Sequence, residues 1–236
     1  MNALLIFLKE PTPGMVKTRL AHSVGHEEAA RRYRALVAVL LQQLEGLKDT
    51  HVRFCYAPDD AGDAISFWIL PQLRGHTAKQ AENFLFTPEK NAPAFTIDFR
   101  AQGDGHLGNR LERAASQAFD EGYTKVAVIG SDCIHCGARW INTGFSHVKQ
   151  DSCLIGPSED GGYYLLATAQ KSPQLFQNIN WSSENTRSET ELAATKMGLT
   201  LVHLPELRDV DDEEDWDHIL QSAIGGKLTA ALKREV

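Results

Sequence analysis

The chain opens on a short, mainly apolar run, Asn2 to Leu8, that stops at Lys9 and Glu10. Such a run predicts a buried strand. From His26 the period changes: Ala29, Tyr33, Leu36, Val37, Leu40, Leu41, Leu44 and Leu47 recur at helical spacing, with arginines, glutamines and Glu45 between them. That pattern predicts an amphipathic helix whose apolar face covers a sheet. Val52 to Ala57 predicts a second strand, closed by Pro58-Asp59-Asp60, and Ala64 to Leu70 a short helix stopped by Pro71. Gly75 to Pro93 is polar and without period, which predicts loop or variable structure, and regularity returns at Phe95 to Phe99. Leu111, Ala114, Ala115, Ala118 and Phe119 mark one face of a helix over Leu107 to Glu121, stopped by Gly122. Val126 to Ile129 has the unbroken apolar character of a central parallel strand. Further strands are predicted at Cys153 to Ile155, Tyr163 to Ala167 and Leu201 to Leu204, and helices at Glu184 to Met197 and Glu213 to Ile224.

Strands alternating with helices favour an α/β fold with a mainly parallel central sheet, joined by right-handed crossovers. No linker, repeat or composition break divides the chain, so one domain over residues 1–236 is expected. With 42% hydrophobic and 23% charged residues the composition is that of an ordinary globular protein, and no apolar stretch approaches the roughly 20 residues of a membrane span. The first residues lack a basic leader, so a cytoplasmic location is expected. A net charge of −7 argues against a general nucleic-acid binder. Four cysteines are too few for a disulfide scaffold; Cys133, His135 and Cys136 lie close together, but a structural zinc site needs a second ligand pair that is absent.

Chemistry concentrates in four places. Lys9 to Leu20 follows the first strand and brings Lys9, Lys17 and Arg19 into one segment, with Pro11 and Pro13 stiffening it and Gly14 permitting a close turn. That is an anion cradle at the carboxyl end of a strand, where open α/β sheets bind ligands. It is not a P-loop, because Val16 and Pro13 stand where that motif has glycine. Asp132 follows a buried strand, and Asp209 to Asp215 follows another, so distant carboxylates can meet at one sheet edge and hold Mg²⁺ or Mn²⁺. Asp132 and Asp211 are the leading metal candidates, with Asp209 next, while Asp212 to Asp215 suit a helix start. Asp160-Gly161-Gly162 reads equally well as a hairpin turn or as a ligand loop in which Asp160 accepts a hydroxyl or acts as general base. Gln102 to Arg110, rich in glycine, joins a strand to a helix and offers a weaker anion site; its His106 is more readily a surface residue.

Taken in order, the Lys9 to Leu20 string, Gly130-Ser131-Asp132, Gly156 to Tyr164 and Asp209 to Asp215 resemble the DUF2064 family, described as glycosyltransferase-like and linked to arsenosugar biosynthesis. That family is similar to nucleotide-diphospho-sugar transferases of the GT-A fold and, more distantly, to guanylyl- and cytidylyltransferases. The resemblance implies that Lys9, Pro11, Gly14, Lys17, Arg19, Gln102, Gly103 and Arg110 contact nucleotide phosphates, and that Asp132 and Asp211 hold the metal. Trp181-Ser182-Ser183 and Thr190 resemble the family's later motif on the acceptor side; Gly161, Gly162, Tyr163 and Trp181 are the expected sugar or acceptor pocket, and Asp160 and Asp132 the expected catalytic residues. Asp104 and His106 depart from the family's usual order, and Ile134 stands where relatives commonly have proline.

Three functions remain open on these grounds. The first is sugar transfer from a nucleotide sugar to a small acceptor, and the second is nucleotidyl transfer from a triphosphate with release of pyrophosphate. The third is a nucleotide-binding module without catalysis. No nucleic-acid partner is expected, and a homo-oligomer is compatible with all three.

Overall fold

The computed structural model describes residues 1–73, 78–80, 86–88 and 95–235. The apolar opening run is β1 (Asn2–Lys9). It leads through the cationic loop into α1 (Thr18–Val24) and then α2 (His26–Gln43). β2 (Thr50–Ala57) and α3 (Gly62–Leu73) follow, then the two short strands β3 (Ala78–Gln80) and β4 (Phe86–Pro88), which pair antiparallel. β5 (Phe95–Ala101), α4 (Leu107–Asp120), β6 (Lys125–Ile129) and α5 (Ala138–His147) complete the first half of the fold. The second half is β7 (Ser152–Pro157), β8 (Tyr163–Thr168), a 3₁₀ turn, α6 (Thr186–Lys196), β9 (Thr200–His203), α7 (Glu213–Gln221) and α8 (Gly225–Leu232).

Seven strands form one sheet in the order β5-β2-β1-β6-β8-β7-β9. All neighbours are parallel except β8, which runs antiparallel to both β6 and β7 because a tight turn joins it to β7. β1 shows why the sheet is covered twice. Leu4, Ile6 and Leu8 pack into a cluster with Tyr33, Leu40, Ile65 and Ile141, whereas Ala3 and Leu5 pack with Leu111, Ala115 and Ala194. Helices α2, α3 and α5 therefore cover one face, and α4 and α6 the other. The second side of α2 meets α1, α7 and α8 through Leu36, Val39, Ile219 and Leu228. Each such fully buried Leu or Ile contributes roughly 1.5–3 kcal/mol.

Several sequence expectations change. Pro71 does not stop α3, which runs on to Leu73. A proline deprives the carbonyl four residues back of its donor, here that of Phe67. Phe67 lies on the exposed side, 80% accessible, and Gln72 Nε2 donates to Trp68 O at 3.0 Å to close the turn. Helices α1, α5 and α8 are additional to the predicted elements, and the helix expected over Glu213 to Ile224 ends at Gln221 before α8 begins. Of the loop expected over Gly75 to Pro93, two short segments are strands; the rest lies outside the described residues. No described helix is long and apolar enough to cross a membrane.

Away from the ligand edge, Arg53 on β2 faces Asp98 on β5 in register. Its guanidinium, 3% exposed, donates to Asp98 at 2.8 Å and to Glu121 at 2.6 Å, and His51 Nε2 lies 3.1 Å from Asp98. Burial raises the Asp98 carboxyl, but His51 and Arg53 outweigh it and hold the group down at about 2.

Candidate active site

The strand order reverses between β1 and β6: the chain builds outward through β2 and β5 on one side and β8, β7 and β9 on the other. Ligands in open α/β sheets gather at such a switch point, beyond the carboxyl ends of the strands. The ends of β1, β5 and β6 bring Lys9, Gln102 and Gly130-Ser131-Asp132 to this edge. β8 runs the other way, so its start, Tyr163, arrives here too, and a parallel bridge from Ser158 to Leu207 carries the segment after β9 to the same place. Asp209 and Asp211 thereby join residues far from them in sequence. The result is a cleft of about 590 Å³.

At its centre Lys17 joins the two leading metal candidates. Its ammonium donates to Asp132 Oδ2 at 2.9 Å and Asp211 Oδ1 at 3.0 Å, with the lysine side chain 7% exposed. Arg19, on the exposed side, reaches Asp211 Oδ2 at 3.0 Å. Burial alone would lower the Lys17 pKa, but Asp132 and Asp211 outweigh it and raise it, so the group is charged. Burial likewise lifts the Asp132 carboxyl, and Lys17 more than reverses this, leaving it below the usual carboxylate range. Lys17 is set by the loop before it: its backbone is left-handed at φ 45°, immediately before α1. An ordinary residue held in that region marks a constrained site.

A second layer fixes the floor. The Tyr33 hydroxyl, buried on α2, accepts from Lys9 N at 3.1 Å and lies 2.9 Å from Ser131 Oγ, tying the end of β1 to the turn after β6. Gln102 Nε2 donates to Leu8 O at 3.0 Å and Cys55 O at 2.9 Å, so its amide braces the strand ends while it lines the cleft. Arg110 donates to Gly105 O at 2.8 Å, and Gly103 N to Asp59 Oδ1 at 3.0 Å. These two hold the loop before α4 and do not line the cleft.

The far wall is the turn between β7 and β8. Asp160 Oδ1 accepts from Ser158 Oγ at 2.6 Å and from Gly162 N at 2.8 Å. Asp160 is therefore both a turn-former and a cleft residue, with Tyr163, Trp181, Ser183 and Glu184 beside it. The Tyr163 and Trp181 rings meet edge to face at 6.4 Å. Gly161 faces away from the ligand space: Arg187 N donates to its carbonyl at 3.0 Å, docking the turn on α6. Its φ is +86°, and a Cβ there would collide with the Glu184 backbone carbonyl. Gly161→Ala is expected to cost about 2–3 kcal/mol, because strained φ and a backbone clash combine. Gly198→Ala, with φ +75° but no atom within 4 Å of the added carbon, isolates the conformational part. Thermal melts should show Gly161→Ala well below Gly198→Ala; equal midpoints would remove the packing role.

Asp209 also lines the cleft, and its carboxyl is pushed up to about 7, first by burial and then by Asp132, Asp160 and Asp211. Asp212 and Asp215 form a capping box at the start of α7, and Asp215 Oδ2 also accepts from Asp211 N at 2.8 Å, which aims the Asp211 segment at the cleft. A hard divalent cation fits the pair formed by Asp132 and Asp211, since two carboxylate oxygens already converge on one cation. Among the described residues no three His, Cys, Asp or Glu side chains are grouped as a metal cage. Two carboxylates completed by waters and substrate phosphates are the usual Mg²⁺ arrangement. Cys133 and Cys136 are free thiols in the core, their pKa values raised by burial, and behave as small apolar residues.

The structure thus brings Lys9, Lys17, Arg19, Gln102, Asp132, Asp160, Gly162, Tyr163, Trp181, Asp209 and Asp211 to one cleft. Pro11, Gly14, Gly103, Arg110 and Gly161 lie outside its lining and shape the loops around it. Tyr33, Ser131 and Glu184 are cleft residues that the sequence reading assigned no role. Tyr33 sits at a core position of the helical pattern, and only its hydroxyl, invisible to periodicity, hints otherwise.

The family described as "Uncharacterized protein conserved in bacteria (DUF2064)" matches residues 40–183. Among proteins of curated function none matches the sequence. A solved structure of a proposed nucleotide-diphospho-sugar transferase from Desulfovibrio desulfuricans G20 is 28% identical, with a TM-score of 0.76 over 99% of this chain and 97% of that one. The 4-diphosphocytidyl-2C-methyl-D-erythritol synthase of Anaerococcus prevotii DSM 20548 shares the fold at 8% identity and TM-score 0.55, covering 99% and 95% of the two chains. CMP:2-keto-3-deoxy-manno-octonic acid synthetase, solved with CTP, does so at 9% identity and TM-score 0.52, covering 92% and 96%. With that sheet order and these matches, the chain belongs to the DUF2064 family and has the nucleotide-diphospho-sugar transferase fold.

Proposed function

We propose that the chain is a nucleotide-utilising transferase that moves a sugar from a nucleotide-diphospho-sugar donor to a small-molecule acceptor. The observation that carries this reading is the placement of Lys17 and Arg19 against Asp132 and Asp211 at the switch point, facing an aromatic and hydroxyl-bearing wall. Lys9, Lys17 and Arg19 supply the positive charge that a diphosphate needs, both when bound and when it departs. Mg²⁺ or Mn²⁺ held by Asp132 and Asp211 would offset charge on the leaving diphosphate. Tyr163 and Trp181 offer apolar faces to a sugar ring, and Ser183 and Glu184 offer polar groups to its hydroxyls. In the transfer, the bond between the sugar's anomeric carbon and the diphosphate oxygen breaks, and a bond from that carbon to the acceptor oxygen forms. The acceptor proton passes to Asp160, whose Oδ1 is held by Ser158 and Gly162.

Nucleotidyl transfer is the second reading. It is favoured by the gathering of three cations, Lys9, Lys17 and Arg19, in one loop, a charge that suits a triphosphate as well as a diphosphate. The two differ in what is released. Incubation with nucleotide sugars and hydroxyl-bearing acceptors should liberate a nucleoside diphosphate, and incubation with nucleoside triphosphates and phosphorylated acceptors should give no pyrophosphate. Pyrophosphate release would reverse the order of the two readings.

A further inference from the structure

The metal seat of the proposed site is not empty of charge: Lys17 fills it. We infer that Lys17 is a resident counter-cation that keeps a divalent ion out of the Asp132–Asp211 pair until substrate phosphates draw its ammonium away. The inference rests on the reading that these two carboxylates bind the metal, and it adds an order to that binding.

Geometry makes the two cations mutually exclusive. Lys17 Nζ lies 2.9 Å from Asp132 Oδ2 and 3.0 Å from Asp211 Oδ1. A Mg²⁺ or Mn²⁺ ion bridging those oxygens at about 2 Å would overlap the ammonium. The alternative oxygens are engaged. Asp211 Oδ2 accepts from Arg19, and the Asp132 carboxylate also accepts from the backbone amides of its own turn, Asp132 and Cys133. An ion that uses both side chains must therefore take the place of the Lys17 ammonium.

Charge gives the exchange its direction. Asp132 and Asp211 are already matched in charge by Lys17 and Arg19, so a bare divalent ion must displace a well-seated ammonium without finding an unpaired carboxylate in that pair. A diphosphate changes that balance. It offers Lys17 new oxygens in the cleft that Lys9 and Arg19 also line, and the vacated carboxylates would then accept the ion that the phosphates carry. Lys17 is suited to such a move because its four-carbon stem swings an ammonium between partners, which a fixed guanidinium fork does not. The left-handed backbone of Lys17 keeps the base of that stem in place throughout.

The test uses Mn²⁺ alone, without nucleotide, so it is read independently of whether the chain transfers sugars. Free Mn²⁺ is counted by electron paramagnetic resonance during titration of wild type, Lys17→Met, and Lys17→Met combined with Asp132→Asn. Lys17→Met is expected to take up one equivalent at least tenfold more tightly than wild type, and the double variant to lose that uptake. Lys17→Met should also melt higher when Mn²⁺ is added, because the ion replaces the missing charge, whereas wild type should not respond. Uptake by Lys17→Met no tighter than wild type overturns the inference. If that variant does not fold, wild type alone decides: one tight Mn²⁺ that Asp132→Asn removes means the seat is already open and contradicts the exchange, while equally weak uptake by the two supports it.

Discussion

Asp132→Asn is expected to lower kcat/KM by about 10²–10³-fold, the loss typical of removing one preorganised electrostatic group from a transition-state site. The substitution preserves shape and removes the charge that Lys17 faces at 2.9 Å. Asp132 is the hub of the cleft, since it sits at the exit of a central strand, against Lys17 and within reach of Asp209's field. Asp211→Asn should cost less, because Asp132 still holds Lys17 and the Asp211 backbone remains fixed by Asp215. Kinetics with whichever donor is turned over, alongside a thermal melt to confirm folding, decide the matter. Asp132→Asn within tenfold of wild type would mean that this carboxylate is not part of the chemistry.

The largest stability effect is expected at Arg53→Met, far from the cleft. The substitution leaves Asp98 and Glu121 without the guanidinium that pairs with both, and breaking a buried ion pair from one side costs about 3–5 kcal/mol. The pH dependence carries a sign. In wild type the Asp98 carboxyl is depressed to about 2. Its contribution, about 2 kcal/mol by linkage, is present above the unfolded value near 4 and is lost as pH falls towards 2. Without Arg53 only His51 and the more distant Arg100 oppose the burial effect, so the Asp98 carboxyl moves upward and less stability is left for acid to remove. Urea midpoints of wild type and Arg53→Met should differ most at pH 7 and converge as the pH falls below 4. A constant difference across that range would show that packing, not charge, is what Arg53 supplies.

The strand exits that reach the cleft were legible from sequence because each ends an apolar run: Lys9 after Leu8, and Gly130-Ser131-Asp132 after Ile129. The capping role in the acidic segment was legible too, since acids at a helix start have a local reason to be there, and Asp212 and Asp215 do form the cap. The pairing at the centre of the cleft was not. Lys17 meets Asp132 across 115 positions and Asp211 across 194, and no periodicity links residues that far apart. Within the loop Lys9 to Leu20, Lys17 has the look of a phosphate ligand, whereas in the structure its ammonium is held by Asp132 and Asp211. Short helices escaped for a related reason. α1 has seven residues and buries only Leu20 and Ala21, too few to establish a period. α3 passes through Pro71 on its exposed side, where Phe67 is 80% accessible, a matter of exposure that the order of residues does not encode.

On the proposed function, the cleft between β1 and β6 binds a nucleotide through its phosphates. The most direct measurement is a thermal-shift titration of wild type and Arg19→Ala with nucleoside diphosphates, nucleotide sugars and nucleoside triphosphates, each with and without Mn²⁺. A ligand that binds only the folded state raises the midpoint by mass action. At least one nucleotide should stabilise wild type, more strongly with Mn²⁺ than without, and Arg19→Ala should need a higher concentration for the same shift. No shift with any nucleotide, in the presence or absence of Mn²⁺, would contradict the account.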